Sequence, residues 1–394
     1  MGKSRKKLKT INDMSCLVCK SRDVIPFFNL GNLPLSDYFA ATKLASRKAK
    51  CFSLIVGRCK KCSLVQNTNI VPAHQRYVAN DYSYVSANSK FAINHWSDYC
   101  KFVKKILPKT SKSKILDIGS NDGFLVHYLK KLTKSKTVFG LDASPAMVKL
   151  AKKKYGNFFY NGLAENSHKI FSNNEFDLIT CNNVLNHSSN PIYFLNAMHK
   201  LLKKDGKILV EVLDWRHSLK NKIFDQIYHE HTLYFSPKTI SILFSKAGFY
   251  ISKIEKIDYH GGSLRVLAKK SNKIKLYKDN VTLKNCINLA SYSFKRKIIA
   301  NKKIKKIKLP IYLFGAPAKG NTLVNFFGLN SKNIKSALET SETKINKYIP
   351  KALIPIINQK NIPKSPFYLI NLNWNIPNVF LNFCKKNNCK PLVI

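Results

Sequence analysis

Between Lys114 and Glu211 short apolar strands alternate with helical stretches. Lys114-Ile-Leu-Asp-Ile118 reads as a strand that runs into a glycine loop and a helix start at Phe124-Leu125. Thr137-Val-Phe-Gly-Leu-Asp142, Glu175-Phe-Asp-Leu-Ile-Thr180 and Lys207-Ile-Leu-Val-Glu211 read as further strands. Leu201-Leu-Lys-Lys-Asp-Gly206 predicts a helix end and a turn. This alternation predicts an α/β fold: a doubly wound, mainly parallel sheet with helices on both faces. Ile287, Ala290, Phe294 and Ile298 recur at helical spacing within a lysine-rich stretch, which predicts a linker and one amphipathic helix. Pro310–Gly320 repeats the strand, glycine loop and helix start, and Ser365–Ile370 is another strand, so a second, smaller α/β domain is expected. No run approaches the roughly 20 apolar residues of a membrane span.

Composition adds one unusual number. The 394 residues are 45% apolar, enough for two or three domains. Against 21 Asp+Glu stand 68 Lys+Arg, a formal +47. Such a balance suggests nucleic acid, an anionic surface or an acidic ligand. Yet only 8 of the 68 are Arg, which reads as lysines dispersed over the whole surface. Eleven of the scarce acids fall between Asp117 and Glu230, and that window carries the chemistry. The basic start, Met1–Lys9, lacks a following apolar run, and Gly2 lacks the Ser or Thr of an acylation signal, since Lys6 stands there. A reducing, cytoplasmic compartment is expected. Ten cysteines then read as metal ligands or packed thiols rather than disulfides.

Cys16-Leu-Val-Cys19 and Cys59-Lys-Lys-Cys62 are two CxxC pairs. Four thiolates match the tetrahedral preference of Zn²⁺, in a closed set with no open position, so the metal would be structural. The 39 residues between the pairs must loop out as an insertion. Cys100, Cys181, Cys286, Cys384 and Cys389 are expected to pack, and Cys51 is left over.

Gly119 and Gly123 do not fit a dinucleotide fingerprint, and Asp117 and Asp122 would repel a pyrophosphate at the helix start. The acids suit a ligand with an ammonium and hydroxyls. Asp142, ending the second strand, can accept from both ribose hydroxyls. Asn182-Asn-Val-Leu-Asn-His187 lies where ligands bind, at a strand's C-terminal end. In order, these motifs resemble a class I S-adenosylmethionine-dependent methyltransferase. The resemblance places Asp117, Gly119 and Gly123 against the methionine part, Asp142 on the ribose, and Ala164 or Glu165 near the adenine.

Downstream, Tyr228-His-Glu-His231 gathers two imidazoles, a phenol and a carboxylate. If extended, it turns the two histidines one way and Tyr228 and Glu230 the other. It can remove a proton near neutral pH, the acid fixing the imidazole tautomer. Equally, Ser236 can cap a helix at Pro237 after a polar turn. Tyr259-His-Gly-Gly-Ser-Leu-Arg265 adds backbone amides, His260, Ser263 and Arg265, and Asp81–Ser89 adds Tyr82, Tyr84 and Ser86, suited to a sugar or base. Lys319, in the second glycine loop, could meet a diphosphate.

Nearly the whole chain resembles the zinc-containing nucleotide-sugar C-methyltransferases that act on TDP-ketodeoxysugars. The resemblance implies His231 as general base, Tyr228 and Glu230 as its assistants, and S-adenosylmethionine and structural Zn²⁺ as cofactors. It also implies a TDP-4-keto sugar as substrate, methylated next to its ketone through an enolate. Tyr82, Tyr84, Ser86, His260, Ser263, Arg265 and Lys319 are the expected substrate contacts. Glu339 departs from the family's more usual Asp, and Lys351–Ile356 is blurred. The expected units are a basic tail (1–13), a zinc domain (14–75), a helical connector (76–110), the methyltransferase domain (111–270), a linker helix (271–308) and a C-terminal α/β domain (309–394). Small-molecule O- or N-methylation is the alternative. A zinc-containing nucleic-acid-binding protein is disfavoured by the few guanidinium groups. The particular sugar, the carbon methylated and the oligomeric state stay open.

Overall fold

A computed structural model describes residues 14–78, 90–107, 110–373 and 377–394. The N-terminal lobe holds β1 (Val24–Pro34), α1 (Lys43–Lys48), β2 (Cys51–Cys59) and β3 (Val65–Asn67). β1 and β2 form the antiparallel hairpin that loops out between the two CxxC pairs. Helix α2 (Lys90–Ile106) leads into the central domain.

There, β4 (Ile115–Ile118), α3 (Phe124–Thr133), β5 (Val138–Asp142), α4 (Pro145–Tyr155), β6 (Phe159–Asn161), β7 (Phe176–Asn182), α5 (Pro191–Leu201) and β8 (Leu202–Leu213) alternate along the chain. After α6 (Trp215–Asn221) come β9 (Leu233–Tyr234), α7 (Pro237–Lys246), β10 (Phe249–Ile257) and β11 (Ser263–Lys270). Seven strands form one sheet in the order β6-β5-β4-β7-β8-β11-β10. The first five are parallel, and β11 runs antiparallel between β8 and β10. This is the class I methyltransferase fold. Helix starts follow their caps: Ser144 before Pro145, Asn190 before Pro191, and a capping box of Ser236 and Thr239 around Pro237.

β9 leaves this sheet. It pairs with β3, so the strand two residues after His231 completes the N-terminal lobe's four-stranded sheet. The segment between α6 and β9 is thereby pinned between the two lobes.

Helix α8 (Leu283–Lys306) precedes β12 (Ile311–Phe314), α9 (Ala318–Phe327), β13 (Ala337–Glu339), β14 (Tyr348–Ile349), β15 (Ile354–Asn358), β16 (Tyr368–Asn371), α10 (Pro377–Lys386) and β17 (Lys390–Pro391). Their sheet has the order β14-β15-β13-β12-β16-β17, parallel except for β14 at the edge. The blurred Lys351–Ile356 stretch thus enters a regular strand, β15.

One apolar core joins the N-terminal lobe to the C-terminal sheet, from Phe28, Leu54 and Val65 through Trp215 and Ile227 to Leu289, Leu313 and Phe326. A second joins the cysteine knot of Cys16, Cys59 and Cys62 to Leu185, Phe235 and the central sheet. Cys100, Cys181, Cys286, Cys384 and Cys389 are buried, as expected.

Leu201 ends α5 as expected, and Lys203–Gly206 bulge from β8 as a tight turn: a Cβ on Gly206 would stand 3.0 Å from N and O of Lys203, and the register against β7 steps from Leu202 opposite Phe176 to Lys207 opposite Leu178. One expectation is corrected: the face of α8 is rotated. It buries Cys286, Leu289, Ala290, Ser293, Ala300 and Ile304, whereas Ile287, Phe294 and Ile298 are exposed. Small residues let the helix approach the core closely, while Phe294 packs its ring edge-on against Phe28 and Phe326 at the rim of that contact.

Candidate active site

The two CxxC pairs fold as matched turns. Lys20 and Ser63, each just beyond its second cysteine, take positive φ (61° and 71°). Their amides donate to the carbonyls of Cys16 and Cys59. The four Sγ atoms lie within 4.8 Å of one another, with Cys16–Cys62 at 3.4 Å and Cys19–Cys59 at 3.5 Å. An all-thiolate set at this separation fits tetrahedral Zn²⁺ and leaves no coordination position for a substrate.

At the C-terminal edge of the central sheet the loop after β4 turns sharply. Gly119 has φ 74°, and a Cβ there would stand 2.2 Å from Cγ2 of Val184. Gly123 has φ 83° at the start of α3. Asp117 and Asp142 are buried at this edge. Thr180 Oγ1 donates to Asp117 Oδ1 at 2.7 Å, but burial dominates and pushes the carboxyl up to about 7. Asp142 takes the amides of Asn121 and Ser144, one on each oxygen at 2.8 Å, and burial raises it too. Ala164 is buried, and Asn182 ends β7 opposite Glu211 of β8. Beyond it the fully buried Asn186 amide has no hydrogen-bond partner among the described residues. Two desolvated carboxylates, a tight glycine turn and an unpaired amide fit S-adenosylmethionine: an ammonium and a ribose diol would relieve the acids' burial cost.

The Tyr228–His231 segment is a turn, not a strand. The His231 amide donates to the Tyr228 carbonyl at 3.1 Å. The phenol and imidazole therefore meet instead of facing opposite ways, with Tyr228 Oη 2.6 Å from His231 Nε2. His231 Nδ1 donates to the Gln226 carbonyl at 2.8 Å, which leaves the lone pair on Nε2. A backbone carbonyl, not Glu230, sets this tautomer. Burial pushes His231 down to about 3 and Tyr228 well above its ordinary value, so at neutral pH the imidazole is neutral and the phenol protonated. Glu230 instead reaches the N-terminal lobe: its Oε1 accepts the amides of Ser36 (3.1 Å) and Asp37 (3.2 Å). His229 points away, Nε2 donating to the Phe52 carbonyl at 3.0 Å.

Three residues that sequence reasoning did not single out complete this site. The His187 ring lies 5.0 Å from that of His231, its Nδ1 2.7 Å from the Tyr77 hydroxyl and its Nε2 buried without a partner among the described residues. Arg76, 3% exposed, donates to the carbonyls of Val71, His187 and Glu230. A lone Arg in a basic chain carries no local signal. His187, however, closes the Asn182–His187 loop already marked by its position after β7.

The expected substrate contacts fall in two groups. Tyr82, Tyr84 and Ser86 lie outside the described residues. Arg265 is committed to a buried ion pair, Nε and Nη2 on Glu211 Oε1 at 2.7 and 2.6 Å, while His95 Nε2 meets Glu211 Oε2 at 2.8 Å. Burial opposes charge on Glu211, yet these partners together hold its carboxyl below the ordinary range. The His95 ring stacks on Tyr259 at 3.6 Å. Ser263 Oγ donates to the Tyr259 carbonyl, and the His260 carbonyl accepts from Gln226 Nε2 at 2.7 Å. Burial, then Lys319, pushes His260 down to about 4. Lys319 is half-buried, 3.8 Å from Asp225, so the C-terminal domain reaches the start of the Gln226–His231 segment. Glu339 takes the amides of Ala316, Thr340 and Ser341, the same arrangement as Asp142, with one more methylene of reach.

Comparison with known proteins finds three domain models along the chain. Residues 16–77 match a zinc binding domain model, residues 92–254 a methyltransferase domain model, and residues 293–386 a model described as the C-methyltransferase C-terminal domain. The C-methyltransferase NovU of Streptomyces niveus is 24% identical over 91% of this chain and 89% of its own length. The mitochondrial ubiquinone biosynthesis O-methyltransferase of Schizosaccharomyces pombe is 30% identical, over only 32% of this chain and 47% of its own. The solved structure of a Pyrococcus horikoshii protein, 20% identical, covers 48% of this chain and 95% of itself with a TM-score of 0.40. No helix among the described residues is long and apolar enough to cross a membrane. With its cysteine knot, class I sheet and C-terminal domain in this order, the chain is an S-adenosylmethionine-dependent enzyme that belongs to the zinc-containing C-methyltransferases.

Proposed function

We propose that this enzyme methylates a ring carbon next to the ketone of a TDP-4-keto-deoxysugar. The observation that carries the reading is the neutral His231 with its Nε2 lone pair turned to the Tyr228 hydroxyl, beside His187 at the cofactor edge. When bound, S-adenosylmethionine supplies an electrophilic methyl group. The ketone acidifies the proton on its neighbouring carbon, and His231 Nε2 accepts that proton. Tyr228 donates to the same nitrogen in the absence of substrate, so substrate must displace its hydroxyl or pass the proton through it. The carbanion, spread as an enolate onto the ketone oxygen, would take the methyl carbon as its bond to the sulfonium sulfur breaks, leaving the neutral thioether, S-adenosylhomocysteine. Glu230 and Arg76 hold the turn that carries both side chains, which keeps them within reach of the reacting carbon. His260, Ser263, Arg265 and Lys319 border the sugar side, Arg265 and Lys319 acting through their partners Glu211 and Asp225. The six expected units, from the basic tail to the C-terminal α/β domain, serve as its domains, in a reducing cytoplasm that keeps the four zinc thiolates free.

O-methylation is the second reading, supported by the likeness to the ubiquinone O-methyltransferase, which covers 32% of this chain. Incubation with labelled S-adenosylmethionine and a panel of TDP-ketosugars, scored by product mass and NMR, separates the two. A new C–CH₃ group next to the ketone is expected; a methyl on oxygen or nitrogen retires the proposal.

A further inference from the structure

Helix α9 follows the second glycine loop, the position at which nucleotide-binding folds receive an anion. Here its first turn grips the chain itself. Asn321, 1% exposed, donates from Nδ2 to the carbonyls of Leu35 (3.2 Å), Ser36 (2.9 Å) and Tyr38 (3.2 Å). Its Oδ1 accepts from Asn325 Nδ2 at 2.9 Å, which fixes the end of the amide that carries the donors. Beside it, Thr322 Oγ1 and Ser36 Oγ are 2.9 Å apart.

The same stretch of backbone meets Glu230 on its other side. The Leu35 carbonyl and the Ser36 amide belong to one peptide unit, and the Ser36 carbonyl and the Asp37 amide to the next. A trans peptide is planar and points its C=O and N–H in opposite directions. Asn321 therefore holds the oxygens of the two peptide planes whose N–H groups hold Glu230 Oε1. A carbonyl that accepts a hydrogen bond also polarises its own N–H, so each grip strengthens the other.

We propose that Asn321 is a positioning residue for methyl transfer: the C-terminal domain uses its nucleotide-type loop to hold peptides 35–36 and 36–37, and through them Glu230 and the Tyr228–His231 turn. The inference rests on the reading that this turn handles the substrate proton. It assigns the C-terminal domain a task inside the reaction site without any ligand of its own.

The test has two arms, both on the full-length zinc-loaded protein. In hydrogen exchange, Asn321→Asp, which keeps the shape but sets a charge against three carbonyls, should cost the Ser36 and Asp37 amides about tenfold in protection. Segment 226–232 should loosen with them, while β4 and β12 exchange as in the wild type. Should the Asp variant also loosen β12, Asn321→Ser carries the same comparison. In kinetics, on whichever TDP-ketosugar is turned over, Asn321→Ser should lower kcat about 10- to 100-fold with KM little changed. Combined with Glu230→Gln, it should be no slower than Glu230→Gln alone, because both act on one contact. Unchanged exchange at Ser36 and Asp37, or additive losses in the double variant, overturns the proposal. If no ketosugar is methylated, the functional reading fails and the exchange arm still decides the contact.

Discussion

The Tyr228 hydroxyl lies 2.6 Å from Nε2 of His231, three residues on, because the chain between them turns. That turn is held from outside on every side. Gln226 fixes the imidazole tautomer, Asn67 Nδ2 donates to the Tyr228 carbonyl at 3.1 Å, Arg76 holds the Glu230 carbonyl, and the Ser36 and Asp37 amides hold the Glu230 side chain. A phenol and an imidazole set this way share one hydrogen bond, and burial keeps both uncharged at neutral pH.

Replacing His231 with Ala should abolish methyl transfer, a loss of at least about 10²-fold, the usual contribution of a general base. Binding of S-adenosylmethionine, followed by calorimetry, should stay within about twofold, because the cofactor acids lie on other loops. Tyr228→Phe should fall between the two. Near-normal turnover in the Ala variant would remove His231 as the base.

Acid should destabilise the fold through its buried histidines. His229, His231 and His260 are pushed down to about 4, 3 and 4 by burial, below the ordinary 6.5. A depressed folded-state pKa means the unfolded chain takes up protons first. The stability is therefore complete above about pH 6.5 and is lost as pH falls toward 4. His229→Gln, outside the Tyr228–His231 pair and able to keep its bond to the Phe52 carbonyl, should flatten the fall in Tm between pH 7 and 4. The shift corresponds to about 3 kcal/mol for this one residue. Identical Tm profiles for variant and wild type would contradict it.

Metal analysis should find one zinc per chain, and Cys19→Ser should reduce it. Because β3 pairs with β9 just after the Tyr228–His231 turn, chelation should lower both Tm and turnover. Loss of zinc without loss of turnover would uncouple the knot from the site.

Gly119→Ala should be severe. Its φ of 74° and a Cβ 2.2 Å from Val184 Cγ2 combine backbone strain with overpacking, together about 2–5 kcal/mol. Measured by denaturation and cofactor titration, both stability and affinity should drop; a silent substitution would show that the loop re-forms around the new methyl.

Glu211→Gln should destabilise the chain by about 3–5 kcal/mol, because it leaves Arg265 buried without its carboxylate. If Arg265 acts on substrate only through this pair, Glu211→Gln and Arg265→Met should change KM alike. Divergent KM values would point to direct contact by the guanidinium.

Local chemistry made much of this readable in one dimension. Cys16, Cys19, Cys59 and Cys62 are legible because two ligands per tight turn is a spacing the metal itself demands. Asp117, next to last in β4, and Asp142, last in β5, are legible because parallel strands deliver their C-terminal residues to one edge of the sheet. The Ser236 cap is written in neighbouring side chains. Alternation failed at Tyr228–His231, where tertiary contacts imposed a turn on a segment without regular periodicity. It failed again on α8, where close approach favoured Ala290, Ser293 and Ala300 over bulkier neighbours.

By itself, then, the sequence determined the α/β class, the four-cysteine cluster and the acids at the C-terminal edge of the central sheet. Those follow from short-range spacing and from the period of each element. Only the tertiary structure decided which partner each charged group takes: Glu230 with the Ser36 and Asp37 amides, Arg265 with Glu211, Lys319 with Asp225, His187 beside His231. Each partnership joins residues separated by tens to hundreds of positions, and burial, not spacing, sets which pairs must form. The +47 charge falls on the same divide: its sign is plain in composition, while the few acids that matter are those the fold buries.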